Sequence, residues 1–355
     1  MSVRFQLVQS SGERDQWNAL AESRSAGHRH QCLWWMEPLQ SYGFRIDVLG
    51  CWQGDRLIGG ALFRTYSLPL SPIRITECLN GPIFLEWQDD WGDAFVSAVA
   101  DLAERLESTI VRFEECAPLN LHRSIVAAFQ GGGLRTRLQP ATPDAVLPLE
   151  GRSLDQICQG FNHGIRQRIR KARTGGITIR RLQKPEDLTQ AYRAWVETAS
   201  RKSFSEIRPY GSLEPVMLHS LTRGLGSVLA SYRDEKLLAA IFVSHVGGSS
   251  FYVYGGFLDG AQRESPTHLL HDEAIRESVA KGMTHYNFGS LLSAILPEAR
   301  GVDEFKLGFG AEPRPHLETI VWERRPLLYA SIERIRSGWL GRSLEAGLRR
   351  ALVRR

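Results

Sequence analysis

Several absences bound this 355-residue chain before any motif is read. No apolar run approaches the roughly 18 residues that a membrane-crossing helix needs, and no transmembrane helix is expected. The residues after Met1-Ser2-Val3-Arg4-Phe5 include no long apolar stretch, so no signal peptide is expected either. The five cysteines, Cys32, Cys51, Cys78, Cys116 and Cys158, form no C-x-x-C pair. That odd, scattered set argues against a disulfide framework and a zinc site and fits a reducing, cytoplasmic location. Ten histidines give no H-E-x-x-H spacing, and no G-x-S-x-G elbow or Walker loop is present. Gly131 to Gly133 lacks the G-K-[ST] ending and reads as a turn. No metal or cofactor is expected. Acidic residues are also missing from the whole stretch between Asp155 and Glu186.

What remains is an ordinary globular composition with 43% hydrophobic and 23% charged residues, enough for two full cores. The formal charge of +5 suits anionic partners without indicating a nucleic-acid binder. Ile46 to Trp52 and Leu57 to Phe63 read as a hairpin turning at Gln53-Gly54-Asp55. Phe95, Val99, Leu102 and Leu106 make a helical stripe over 93–108, and Ile110 to Phe113 is the next strand. Ala145 to Leu149 closes this first pass. A second pass opens with helices at 162–174 and 186–200. Strands follow at 227–232, 237–245 and 250–255, then a helix from Pro266 with Gly282 beyond its end, then a strand at 285–288. The repeated order predicts a duplicated α/β unit, with domains over 1–150 and 151–323. Residues 324–355 form a tail with nine arginines. It reads as a basic amphipathic helix, either packed with a solvated arginine face or lying on an anionic membrane surface.

Three constellations could carry chemistry. On the helix at 162–174, Ile165, Ile169 and Ala172 share one face and Arg166, Arg170 and Arg173 another. With no local acid to pair them, these guanidinium groups either clamp phosphates or form a solvated face. In the segment 301–310, Phe305 and Phe309 bracket Lys306. A lysine so placed can stabilise an oxyanion, and the glycines after it would let backbone approach a ligand; spacing alone reads it as a surface lysine on a strand. Tyr252 to Gly256 and Tyr286 to Ser290 look like strand ends meeting glycine turns, where open α/β sheets hold ligands. His268 and His271, three apart on a helix, read as surface residues rather than a metal pair.

In these pieces the chain resembles the Fem family of peptidoglycan-bridge aminoacyltransferases. The ordered set is Arg166 to Ala172, Thr198-Ala199-Ser200-Arg201, Tyr254-Gly255, Tyr286-Asn287-Phe288-Gly289 and Phe305 to Gly310. Gln31 with Trp35, and Gly81-Pro82, match more loosely. The resemblance implies two tandem GNAT-like α/β domains and transfer of an aminoacyl group from charged tRNA to an amine on a phosphorylated cell-wall precursor. It assigns Lys306 to the reacting carbonyl and Arg201 and Tyr254 to the phosphorylated acceptor. Asn287 stands where an aspartate is frequent, and Leu39-Gln40 where a lysine often stands. Residues 262–270 lack a glycine-rich pyrophosphate turn, which weighs against acetyl-CoA. The general base is open: Asp303, Glu304 or a group on the substrate. Two alternatives stay open, an acyl-CoA N-acyltransferase acting on an amino sugar and a non-catalytic protein binding anionic polymer or membrane.

Overall fold

The computed structural model describes residues 3–68, 71–115, 118–202 and 208–328. The chain divides into two compact units. Unit 1 takes Met1–Leu20, Leu39–Ala141 and Leu317–Arg355; unit 2 takes Ala21–Pro38 and Thr142–His316. The division differs from the expected borders at 150 and 323 because two strands serve sheets other than those sequence order suggests. Residues 144–148 join the sheet of unit 2, and residues 319–323 join that of unit 1.

The sheet of unit 1 contains β1 (Arg4–Leu7), β2 (Arg45–Gln53), β3 (Arg56–Ser67), β4 (Arg74–Leu79), β5 (Ile83–Phe84), β6 (Ile110–Glu114), β7 (Thr136–Gln139) and β15 (Thr319–Glu323). Its order is β1-β2-β3-β4-β6-β15-β7, with β5 on β3. The hairpin turn of β2 and β3 needs a left-handed residue, which Gly54 supplies at φ 61. Helix α1 (Ser11–Glu22) starts in this unit, which also holds α3 (Gly92–Arg105) and α4 (Leu119–Gly131). The stripe Phe95, Val99 and Leu102 is buried against Phe63, Phe113 and Phe129, as its spacing predicts. Arg324 is fixed here, donating to Ala103 O at 2.8 Å and Ser108 O at 3.0 Å, so it belongs to the unit 1 fold. The expected tail from residue 329 onward lies outside the described residues.

Unit 2 contains α2 (Leu33–Met36), β8 (Asp144–Pro148), α5 (Leu154–Gln159), α6 (His163–Thr174), β9 (Thr178–Leu182), α7 (Pro185–Lys202) and α8 (Tyr210–Thr222). Then come β10 (Gly226–Arg233), β11 (Lys236–Val246), β12 (Ser249–Phe257), α9 (Pro266–Ala280), β13 (His285–Ser290), α10 (Arg300–Leu307) and β14 (Glu312–Arg314). The sheet order is β14-β8-β13-β12-β11-β10-β9. Asn162 caps α6 by accepting from Ile165 N at 2.8 Å, and Ile165, Ile169 and Ala172 turn into the core. Helix α9 starts at Pro266 and ends before Gly282, whose φ is 65. Lys306 lies on a helix, not on a strand as its spacing suggested. No helix among the described residues is long and apolar enough to cross a membrane.

Candidate active site

The two parallel strands of unit 2 stay together only briefly. β12 and β13 pair at Ser249↔His285, Ser250↔Tyr286 and Phe251↔Asn287, and β12 then runs on to Phe257 without β13 beside it. A bulge at Val253 of β12 marks the same region, since Phe242 pairs with Tyr254 and Val243 with Tyr252. Beyond the last pair each strand is held by contacts of its own. Gly256 is pressed against α7, where an added Cβ would lie 2.5 Å from Ala194 O. The end of β13 is pinned by Gly289, at φ 80, whose N–H donates to Asn287 Oδ1 at 2.7 Å. Such a gap at the end of a parallel pair is where an open α/β sheet admits a ligand.

Lys306 enters at the end of β13. It is buried, 8% exposed, and its Nζ donates to Ser290 O at 2.6 Å. Burial pulls the Lys306 pKa below its usual value, and the carboxylates of Asp303 and Asp144 oppose that shift. Asp303 is not available as a base: its oxygens accept from Leu292 N at 3.2 Å and Ser293 N at 2.7 Å. Glu304 points to solvent and pairs with Arg300 at 2.9 Å. Across the strand from Ser290 stands Asp144 on β8. Its Oδ2 accepts from Asn287 Nδ2 at 2.7 Å and lies 3.2 Å from His316 Nε2. Burial resists ionisation of Asp144, but the hydrogen bonds from His316 and Asn287 outweigh it and hold the pKa below the usual range.

The other expected site residues fall into three places. Phe305 packs on His268 and His271, with centroids 4.9 and 5.3 Å away, and Phe309 is fully buried among Phe161, Phe288 and Phe305. Phe309 is therefore a core residue with no surface to present to a ligand. The glycines on either side of it serve packing too: a Cβ on Gly308 would meet Asn162 at 2.9 Å, and one on Gly310 would meet Gly160 O at 2.9 Å. His268 and His271 are buried, not superficial, and burial lowers them to about 4 and about 3. His271 Nδ1 is 2.9 Å from Tyr286 OH, and its ring meets Tyr252 edge-on at 4.6 Å. Near α7, Tyr254 stacks on Trp195 at 5.8 Å, and its OH accepts from Arg208 N at 3.3 Å. Arg201 is tied to Glu197, Thr198 and Phe257 O, with its guanidinium 4.9 Å from the Phe257 ring. On α6, Arg166 and Arg170 are exposed, Arg166 donating to Gln159 O at 2.7 Å. Arg173 instead forms an ion pair with Asp272 of α9, a partner from another helix that local sequence could not reveal.

Of the expected residues, Lys306 and Asn287 are thus brought to one place, with Ser290 from the same strand-end segment and two that the sequence reading passed over, Asp144 and His316. A third, Arg29, is buried with its guanidinium 3.4 Å from the centroid of Phe251, where β12 and β13 last touch. None of these three sits in a local motif.

Residues 160–313 match the acetyltransferase (GNAT) domain family. No curated protein matches the chain in sequence. Among solved structures, FemX aligns with a TM-score of 0.77 and 13% identity over 92% of this chain and 100% of its own. A C-terminal domain from Agrobacterium fabrum assigned to a lysylphosphatidylglycerol synthetase aligns at 0.58 and 13% identity, covering 91% and 96% of the two chains. A tandem GNAT protein from the clavulanic acid biosynthesis pathway aligns at 0.50 and 12% identity, covering 91% and 98%. Residues 160–313 thus form a domain of the acetyltransferase (GNAT) family, and the chain as a whole has the two-unit α/β fold that FemX has.

Proposed function

We propose that this acyltransferase moves an aminoacyl group from charged tRNA to an amine on a phosphorylated, peptidoglycan-type cell-envelope precursor. The observation that carries the reading is Lys306, a buried cation at the end of a parted parallel strand pair. The fold shared with FemX, and with a protein whose name places a lysyl group on a phospholipid, supports the same class of acceptor. The amine nitrogen attacks the ester carbonyl carbon, and the new oxyanion accepts a hydrogen bond from the Lys306 ammonium. Collapse breaks the ester C–O bond, and the departing ribose oxygen takes the proton that the attacking nitrogen, positively charged in the tetrahedral intermediate, gives up, so Lys306 stays an ammonium. That route through the substrate fits a site in which Asp303 is occupied by backbone N–H groups and Glu304 faces solvent.

Phosphate contacts fall to Arg166 and Arg170, whose helix face is open. Tyr254 and Arg201 line the acceptor side, with Phe305 behind Lys306. The residues beyond 328 carry seven of the tail arginines and would hold the protein peripherally at an anionic membrane face. The second reading, an acyl-CoA N-acyltransferase acting on an amino sugar, draws on the acetyltransferase domain match. Against it, the turn before α9 reads Gln262-Arg263-Glu264-Ser265 and forces a serine to φ 58 where a glycine would sit without strain.

Purified protein offered radiolabelled aminoacyl-tRNA with a UDP-linked muropeptide, and separately acetyl-CoA with glucosamine, decides between them. Amide product from the first pair alone supports the proposal. Product from the second pair alone replaces it with the acyl-CoA reading.

A further inference from the structure

Helix α10 has eight residues, too few to hold a place by itself. Its two buried side chains are both charged, Asp303 and Lys306, three apart and so on one face. That face is fastened to the end of β13 by three hydrogen bonds. Asp303 Oδ1 accepts from Leu292 N at 3.2 Å, Asp303 Oδ2 accepts from Ser293 N at 2.7 Å, and Lys306 Nζ donates to Ser290 O at 2.6 Å. The peptide unit between Ser290 and Leu291 is held separately, because Leu291 N donates to Pro143 O at 2.8 Å. The strand end is therefore the fixed part, and α10 is the part that has to be brought to it. We infer that Asp303 is a positioning residue: by gripping the 292–293 backbone it sets where α10 sits against the strand end, and with it where the Lys306 ammonium stands. The inference rests on the reading of Lys306 as the oxyanion-stabilising group.

The kind of contact matters as much as its presence. Apolar packing, such as that of half-buried Phe305 on His268, His271 and Phe309, is non-directional and tolerates sliding. One carboxylate accepting from two successive N–H groups fixes both place and orientation, and charge strengthens each bond. Glu304 cannot do this in its stead, since it is paired with Arg300 in solvent. An ammonium has three N–H groups. One is spent on Ser290 O, which leaves two for an oxyanion, and their directions follow from where α10 holds the Lys306 backbone. Misplacing such a group by about 1 Å can cost about 100-fold in rate.

The test compares the native full chain with Asp303→Asn and Asp303→Ala. Asparagine keeps the shape and one acceptor oxygen; alanine removes both. Hydrogen exchange at the Leu292 and Ser293 amides should quicken at least about tenfold in Asp303→Ala. Acetic anhydride labelling of Lys306, read by mass spectrometry against exposed Lys184 and Lys236, should rise in the order native, Asp303→Asn, Asp303→Ala. In the tRNA-dependent assay, kcat per folded molecule should fall about tenfold in Asp303→Asn and about 100-fold in Asp303→Ala, with KM within about twofold of native. Native kcat per folded molecule in Asp303→Ala overturns the inference, even where a melting curve shows lost stability, because the role is then structural alone. So does a rise in KM that accounts for the whole loss. Should Asp303→Ala fail to fold, Asp303→Asn decides on the same readouts. Absence of turnover in the native protein with that donor and acceptor sinks the aminoacyl reading. Lys306 labelling then still decides whether Asp303 places the lysine, and unchanged labelling in both variants means that it does not.

Discussion

Apart from the short β5, the two sheets repeat one strand order, and they differ in their central parallel pair. Position by position, β9-β10-β11-β12-β13-β8-β14 of unit 2 corresponds to β1-β2-β3-β4-β6-β15-β7 of unit 1. In unit 1 the central parallel pair, β4 with β6, is in register from Ile75↔Ile110 to Leu79↔Glu114, where both strands end. In unit 2 the corresponding pair parts after three residue pairs. Charge follows the same division. The closed pair is crossed by buried Glu77 between Arg64, at 2.7 Å, and Arg112, at 3.1 Å, which ties three strands together. The parted pair has a lysine at its end and no ion pair across it among the described residues. One fold thus serves as a sealed sheet and as an open one, and the proposed chemistry is assigned to the open one.

The largest effect that tests this contrast is loss of Lys306. Lys306→Ala should reduce turnover by about 10²–10³ without a comparable loss of thermal stability, since removing a buried cation also removes its desolvation cost. Steady-state kinetics and a melting curve on one preparation check both. Full activity in the variant would dissociate the open pair from catalysis.

Acid should open unit 2 before unit 1. Burial lowers His268 to about 4, His271 to about 3 and His285 to about 4, all in unit 2. Below pH 6.5 the unfolded chain takes up protons that these folded histidines refuse. Each therefore removes stability at about 1.4 kcal/mol per pH unit between 6.5 and its folded value. Glu114 in unit 1 behaves with the opposite sign: burial raises its pKa, so protonation as pH falls favours the folded form. Hydrogen exchange at pH 7 and pH 5, corrected for intrinsic rates, should show the β12–β13 amides losing protection first. Earlier opening of β4 and β6 would reverse the assignment.

A smaller effect separates structure from chemistry in unit 1. Glu77→Gln leaves two arginines facing an uncharged partner and should cost about 3 kcal/mol, the low end for a broken buried pair because Arg64 and Arg112 stay partly solvated. Turnover per folded molecule should hold. A denaturant titration alongside an activity assay measures both, and a loss of kcat at full folding would give unit 1 a direct catalytic part.

Much of the architecture was legible because it rests on local periodicity. The stripe on α3, the apolar face of α6 and the Pro266–Gly282 bracket of α9 all follow from side-chain spacing alone. The site was legible only in part. Lys306 stood out by its neighbours in sequence, yet its burial comes from helix α10, whose eight residues are too few for a periodic signal. Asp144 and Ser290 meet through strand register, which no local pattern encodes, and His316 reaches Asp144 from the segment after β14. Arg173 looked unpaired because its acid lies on another helix. The placement of β8 and β15 followed the same rule: each reads as a strand locally, but which sheet it completes is a long-range choice.

The finest test concerns why β12 can leave β13 at all. Where β4 ends with Cys78 and Leu79, β12 has Gly255 and Gly256. Gly256 lets the strand lie against α7, and a Cβ there would press on Ala194 O at 2.5 Å and Thr198 Oγ1 at 2.7 Å. Backbone cannot yield as a side chain does, so Gly256→Ala should push β12 away from α7, toward the gap, at a cost of about 1–3 kcal/mol. At Gly255 the added methyl would meet the Tyr252 ring, which can rotate away, so Gly255→Ala should cost less stability. Melting curves of the two variants, with KM measured on each, check the order. A greater loss for Gly255→Ala than for Gly256→Ala would mean that Tyr252, not the approach to α7, holds the strands apart.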